Sequence, residues 1–226
     1  MNGALCLRCG KFNPSLWRAC PACGYQPAND RDLAASLLAS SHCASEEQLH
    51  ALAAQIERGE APTFDPAYIE FAEEDLAKRP PFDASAVLHR ICEAFVHEPR
   101  PEHFTDYKHC GECAEHDEML RSYTPDTITE VQVGHGGWDP ICFVTPDGYR
   151  YYLPGLARLV IETRGEYLDQ FLFPLRHDRI ATFTPQQRAA VAAFIEAIAT
   201  AWPEVQDESP RGYDLLNVVE WLQNEN

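Results

Sequence analysis

Positive charge is scarce in this 226-residue chain: 18 Lys and Arg stand against 35 Asp and Glu, a formal charge of −17 at pH 7. Phosphate binding needs cationic surface, so nucleic acid is not expected as a direct ligand. Long hydrophobic runs are missing, and none approaches the ~18 apolar residues that would span a membrane. Met1-Asn2-Gly3-Ala4-Leu5-Cys6 has neither a basic n-region nor a long apolar stretch, so export is not expected and a cytoplasmic location is. There is no internal repeat and no low-complexity tract. The familiar catalytic signatures are also missing: no Gly-x-Ser-x-Gly, no Walker loop, no Gly-x-Gly-x-x-Gly and no His-Glu-x-x-His. Apolar residues, by contrast, are plentiful, at 45% with 11% aromatics. Disorder requires low hydrophobicity together with high charge, so this chain folds around a core, as one large domain or two modest ones.

Nine cysteines are present, an odd number in a chain without an export signal, which favours metal ligation over disulfides. Four fall in two pairs, Cys6-Leu7-Arg8-Cys9-Gly10 and Cys20-Pro21-Ala22-Cys23-Gly24. A two-residue spacer lets both thiolates of a pair turn toward one ion, and the following Gly permits the tight turn that aims amides at the sulfurs. Four thiolates at ~2.3 Å complete a tetrahedral zinc site and leave no open position. Iron is the chemical alternative, but the loop between the pairs is short for a rubredoxin. This segment, residues 4–25, resembles the zinc ribbons, a fold that occurs in transcription, translation and structural settings and so implies no single function. Between the pairs lie Lys11, Phe12, Trp17 and Arg18. With so little basic charge, Phe12 and Trp17 are expected to cover the metal and pack on the next helix rather than to form a nucleic-acid patch.

A second concentration of metal-binding residue types runs from His103 to Asp117 and contains Cys110-Gly111-Glu112-Cys113-Ala114-Glu115-His116. A turn at Gly111 leading into a helix converges Cys110, Cys113 and His116. A fourth ligand would be His103, His109 or His97. His103 is favoured because its loop can fold back, whereas His109 adjoins Cys110. Three readings stay open: a closed zinc site of two cysteines and two histidines, a three-ligand zinc with water and Glu112 or Glu115 as general base, or no metal. The zinc-deaminase pattern is excluded, since no Pro precedes Cys110 and no His-x-Glu stands upstream. A thioredoxin-like pair lacks its βαβ surroundings. The His103–Leu120 stretch, with Trp138-Asp139-Pro140-Ile141-Cys142-Phe143 and Tyr151-Tyr152-Leu153-Pro154, resembles an uncharacterised bacterial family over about residues 100–202. Its members carry a His-Cys-x-Glu-Cys-x-Glu-His segment and a Trp-Asp-Pro-Ile-Cys-Phe / Tyr-Tyr-Leu-Pro block. The resemblance implies a domain boundary near Arg79-Pro80-Pro81 or near Pro99-Arg100-Pro101, and no activity.

Helix starts are legible from caps. Asn29, Ser45 with Gln48, Asp65-Pro66, Asp83, Thr145-Pro146, Thr184-Pro185 and Ser209-Pro210 each precede apolar residues at helical spacing. Pro154 is expected to kink or restart the helix it falls in. Trp138-Asp139-Pro140-Ile141-Cys142-Phe143-Val144 reads as a turn into a short buried strand, and Phe171–Leu175 as a second strand or a buried loop. Cys43, Cys92 and Cys142 sit in apolar patterns as core thiols. Gly134-His135-Gly136-Gly137-Trp138 reads as a surface turn in preference to a phosphate cradle with His135 as acid/base, and His177-Asp178 as ordinary polar neighbours.

The expected fold is mainly α: a small β zinc ribbon over residues 1–26, a helical region over 27–98, and a mainly helical domain over 99–226 with a second Cys/His site and little sheet. The expected metal ligands are Cys6, Cys9, Cys20 and Cys23 for one zinc ion, and Cys110, Cys113, His116 and His103 for a second; no catalytic residue is assigned. The function expected is that of an acidic, non-enzymatic zinc-binding protein working through protein–protein contact, such as a bacterial immunity or antitoxin-type protein meeting a basic toxin. The alternatives are a zinc-dependent hydrolase centred on Cys110, Cys113 and His116, and a zinc-ribbon regulatory module.

Overall fold

In the computed structural model, residues 4–13, 16–133, 139–165, 167–175, 180–203, 205 and 215–224 are described. The Gly134–Trp138 loop, His177-Asp178 and the Ser209-Pro210 helix start lie outside them. The fold is mainly α, with one two-stranded sheet near the N-terminus. The chain divides into two compact units: residues 1–81 with 200–210, and residues 82–199 with 211–226.

In the first unit, strands β1 (Ala4–Leu5) and β2 (Phe12–Asn13) pair antiparallel, Ala4 opposite Asn13 and Leu5 opposite Phe12. Two-residue strands cannot stand alone. They are held by the Leu5 amide, which donates to the Ala39 carbonyl at 2.8 Å, and by a small core of Ala4, Leu16 and Leu37 with Trp17, Leu33 and Leu76 packed against it. Trp17 therefore packs as expected, whereas Phe12 stays largely exposed.

Three helices follow in residues 1–81 of this unit, and each begins where a side chain satisfies an otherwise orphaned amide. Asn29 accepts from Asp32 at the start of α1 (Asp30–Leu38). Ser45 and Gln48 form a reciprocal capping box at α2 (Glu46–Glu57). Asp65 accepts from Ala67 at α3 (Pro66–Lys78), with Pro66 in the first turn. Helix α1 packs on α3. Helix α2 is the loosely seated one, with Ile56 its one buried residue. Pro80-Pro81 follows α3, where the missing N–H groups bar further helix.

The second unit is built around a long helix. It contains α4 (Ala84–Phe95), α5 (Gly111–Arg121), α6 (Glu130–Val133), a 3-10 turn (Pro140–Phe143), α7 (Pro146–Glu162), α8 (Leu168–Leu172), α9 (Pro185–Ala201, most of which lies here) and α10 (Leu215–Asn224). Helix α7 presents Tyr149, Tyr152, Leu153, Leu156, Leu159 and Val160 to the core, packing against α4 and α8. It runs on through Pro154 without a restart. Gly155 follows, and a Cβ there would meet the Pro125 carbonyl oxygen at 2.5 Å, so this helix turn lies directly on the 125–128 backbone.

Polar ties complete this core. Glu98 accepts from Arg150 Nε at 2.9 Å and from Gln187 Nε2 at 2.6 Å, linking the end of α4 to α7 and α9. The Tyr149 hydroxyl donates to the Phe171 carbonyl at 2.7 Å.

Three local expectations are corrected. Ile141–Val144 is not a strand: Asp139 accepts from the Ile141 amide at 3.0 Å and starts a 3-10 turn, after which Val144 alone bridges to Thr105. The Phe171–Leu175 run is neither strand nor loop at its start, because Phe171 and Leu172 end α8. Cys43 and Cys92 are exposed and Cys142 is half-buried, so the first two are not core thiols; at α4 the buried stripe runs through Ile91 and Phe95 and passes Cys92 by.

Candidate metal centres

The first centre is assembled by two turns of the same build. Gly10 donates to the Cys6 carbonyl at 2.9 Å and Gly24 to the Cys20 carbonyl at 2.8 Å, with φ of +68° and +72°. That left-handed backbone suits glycine and closes each Cys-x-x-Cys into a tight loop. Each loop is also tied at its base: the Cys6 amide bonds Lys11 O at 2.9 Å and the Cys20 amide bonds Tyr25 O at 2.7 Å.

The four sulfurs all lie within 4.8 Å of one another, with Cys6 to Cys23 at 3.6 Å and Cys9 to Cys20 at 3.7 Å. A tetrahedron with ~2.3 Å metal–sulfur arms has edges of about 3.8 Å, so the thiols stand where zinc would need them. A disulfide would require about 2.05 Å, and all four cysteines are free. Burial lifts the Cys6 thiol to about 12. At Cys20 burial is outweighed by the Ala22 and Cys23 amides and by the Cys6 and Cys9 thiols, which bring it down to about 7. Metal binding must expel thiol protons, so affinity at this centre falls as the solution is acidified.

The second centre differs from expectation in its histidine. Cys110 is extended (φ −161°, ψ 172°) and caps α5, its Sγ accepting from the Cys113 amide at 3.5 Å. The two sulfurs are 3.4 Å apart. In the turn before the helix, His109 N bonds Asp106 O at 2.9 Å, and the imidazole folds over the first helical turn to set Nδ1 3.7 Å from Cys113 Sγ. His109, Cys110 and Cys113 thus form one group with every donor atom within 4.8 Å.

Neither His116 nor His103 belongs to that group. His116, one turn along α5, is fully buried, with its ring 4.8 Å from Phe143 and Nε2 3.7 Å from Glu112. His103 stacks on Tyr107 and points Nδ1 at Asp117, 2.7 Å away. Asp117 is the hub that sequence reasoning missed. Its buried carboxylate also accepts from the amides of Phe104, at 2.6 Å, and Thr105, at 3.1 Å. Burial works to raise its pKa, but the His103 bond and the two amides overcome this and hold it below the usual aspartate range. The Thr105 hydroxyl donates to the Cys113 carbonyl at 2.7 Å, so the 103–105 segment is fastened to the helix that carries the thiols.

Three donors of which Cys110 and His109 are exposed make a different object from the closed first centre. The Cys113 amide, the Cys113 thiol and His109 lower the Cys110 pKa, while the Cys110 contact and burial raise that of Cys113. Among the described residues no helix is long and apolar enough to cross a membrane. Compared with protein-family models, curated proteins and solved structures, the chain matches none.

Proposed function

We propose that this chain is a zinc-fastened binding protein that docks a basic protein partner through the surface around α2, with no reaction of its own. The bacterial immunity or antitoxin role expected from the sequence is one instance of that function. The supporting observation is that α2 buries only Ile56 and is flanked by two apolar grooves of about 440 Å³ each. One is lined by Leu5, Phe12, Leu49 and Ala53, the other by Leu38, Leu52, Phe64 and Tyr68. Tyr68 and Phe71 are 64% and 72% exposed, unusual for aromatics with no partner surface.

Charge selects the occupant. Between residues 46 and 75 there are nine acids and one base, Arg58, a local balance of −8 (1 − 9). Several of these acids are satisfied internally, as in Glu57 with Lys11, Glu73 with Arg31 and Glu74 with Lys78. Glu47 and Glu70 are exposed without a cation partner among the described residues, and they lie on α2 and α3, helices that contribute lining residues to the grooves. The partner chemistry that fits is an amphipathic segment with an apolar stripe and basic flanks. The first zinc centre would stabilise β1 and β2, which form a wall of the first groove.

The regulatory-module reading loses support because Lys11 pairs with Glu57 and Trp17 packs inward. The hydrolase reading required His116 beside the two thiols, and His116 is instead packed on Phe143.

The test is capture from a native lysate by the wild-type chain and by a Glu47→Lys, Glu70→Lys, Phe71→Ala variant, at low and high salt. A basic protein retained by the wild type at low salt, released at high salt and absent from the variant supports the function. Identical retention by both chains, or none by either, overturns it.

A further inference from the structure

The two Cys/His groups are not equivalent. The first has four donors at tetrahedral edge distances with Cys6 and Cys20 buried, and its geometry is closed. The second has three donors among the described residues, two of them exposed, spread over the first turn of α5 and the turn before it. Its Sγ–Nδ1 distance of 3.7 Å is near the thiolate–imidazole edge of a zinc tetrahedron, about 3.6 Å, and its Sγ–Sγ distance of 3.4 Å is somewhat inside the thiolate–thiolate edge of about 3.8 Å.

We propose that His109, Cys110 and Cys113 form an open, exchangeable site for a zinc-class ion, with three donors among the described residues and a fourth position that takes a monodentate donor from solution. Two soft thiolates and one imidazole select zinc-class ions over the hard cations that prefer oxygen. Such a three-donor set with one free position is the coordination that lets zinc bind and release a ligand, whereas a set of four thiolates is structural. The support behind the donors is rigid: Thr105 holds the Cys113 carbonyl, and Asp117 holds 103–105. The open side is the solvent side, because His109 and Cys110 are exposed while Cys113 is buried. The ligand class is a single soft or borderline donor, a thiolate or an anion such as azide.

The experiment is cobalt substitution of the full chain, read by metal analysis and by the ligand-field bands of tetrahedral cobalt. The wild type is expected to hold two ions, and Cys110→Ser and His109→Ala one each. Both variants should fold, since His109 is exposed and Ser is a good helix cap in place of Cys110. His103→Gln should keep two ions, because His103 is committed to Asp117. Adding azide or 2-mercaptoethanol should shift the bands of the second ion and leave those of the ion in the four-thiolate centre unmoved. One ion in the wild type, retention of two in Cys110→Ser, or bands unmoved by both added ligands would overturn the proposal. Partner capture through α2 does not involve these residues, so either conclusion can fail without the other.

Discussion

Asp117→Ala offers the sharpest test of how the second unit is held. The side chain is 4% exposed and accepts three hydrogen bonds, two from backbone amides and one from His103. Truncation removes the acceptor and leaves the Phe104 and Thr105 amides buried without it. Each abandoned buried donor costs about 1–3 kcal/mol, and non-additivity keeps the total near 3–4 kcal/mol. A loss of that size multiplies local opening by roughly 10²- to 10³-fold. Native-state hydrogen exchange reads it directly at the Phe104 and Thr105 amides. Asp117→Asn keeps an acceptor for those amides and surrenders only charge assistance, so it should cost about 1–2 kcal/mol.

Acid gives a second readout. The Asp117 carboxyl is held below the usual aspartate range, so the folded chain binds this proton less readily than the unfolded chain does. Its contribution is present above the unfolded value, about pH 4, and is lost as pH falls through the folded one. The gap between wild type and Asp117→Asn should therefore be constant near neutrality and close below about pH 4. Unchanged Phe104 and Thr105 exchange in Asp117→Ala, or a gap that widens in acid, would refute the reasoning.

Gly155→Ala should destabilise the second unit by about 1–3 kcal/mol through overpacking, because its Cβ would fall 2.5 Å from the Pro125 carbonyl oxygen. A thermal midpoint within about 1 °C of wild type would show that the 125–128 backbone can give way. Removing metal with excess chelator should expose the Gly10 and Gly24 amides, which donate to the Cys6 and Cys20 carbonyls, to fast exchange. Protection that survives in demonstrably metal-free protein would mean that the thiols are ordinary side chains.

Six helix starts were legible because each is fixed by a side chain within three residues of the amide it serves, whereas α8, entered at Tyr167 with no side-chain cap, was not. Asn29, Ser45, Asp65, Asp83 and Thr145 all do what their residue type and spacing suggested. Thr184 exchanges the same pair of bonds with Gln187. The same rule was available at Asp139-Pro140, which starts its turn as Asp65-Pro66 starts α3, but the apolar run Ile141-Cys142-Phe143-Val144 outweighed it. A four-residue apolar run fits a strand and a helical turn equally well. At Phe171–Leu175 the ambiguity was the same. What sequence could not supply is long-range: which of His103, His109 and His116 meets the thiols depends on Asp117 capturing His103 and on Phe143 arriving beside His116.

The contrast between the two kinds of Cys-x-x-Cys also has a local cause. At Cys6/Cys9 and Cys20/Cys23 the glycine follows the second cysteine and takes a positive φ, which turns the chain back and frees both sulfurs to face a second pair. At Cys110/Cys113 the glycine follows the first cysteine, has no such φ, and becomes the first residue of α5. The pair is then stretched over a helical turn in which Cys110 spends its sulfur on the Cys113 amide, and the chain continues away along the helix axis. The next residue on that face, His116, is carried about 4.5 Å farther along the axis from Cys113, at about 1.5 Å rise for each of three residues, and into the core. Among the described residues the donor that joins such a pair is His109, from the N-terminal side. The position of one glycine thus separates four thiols gathered around one point from a pair carried along a helical turn.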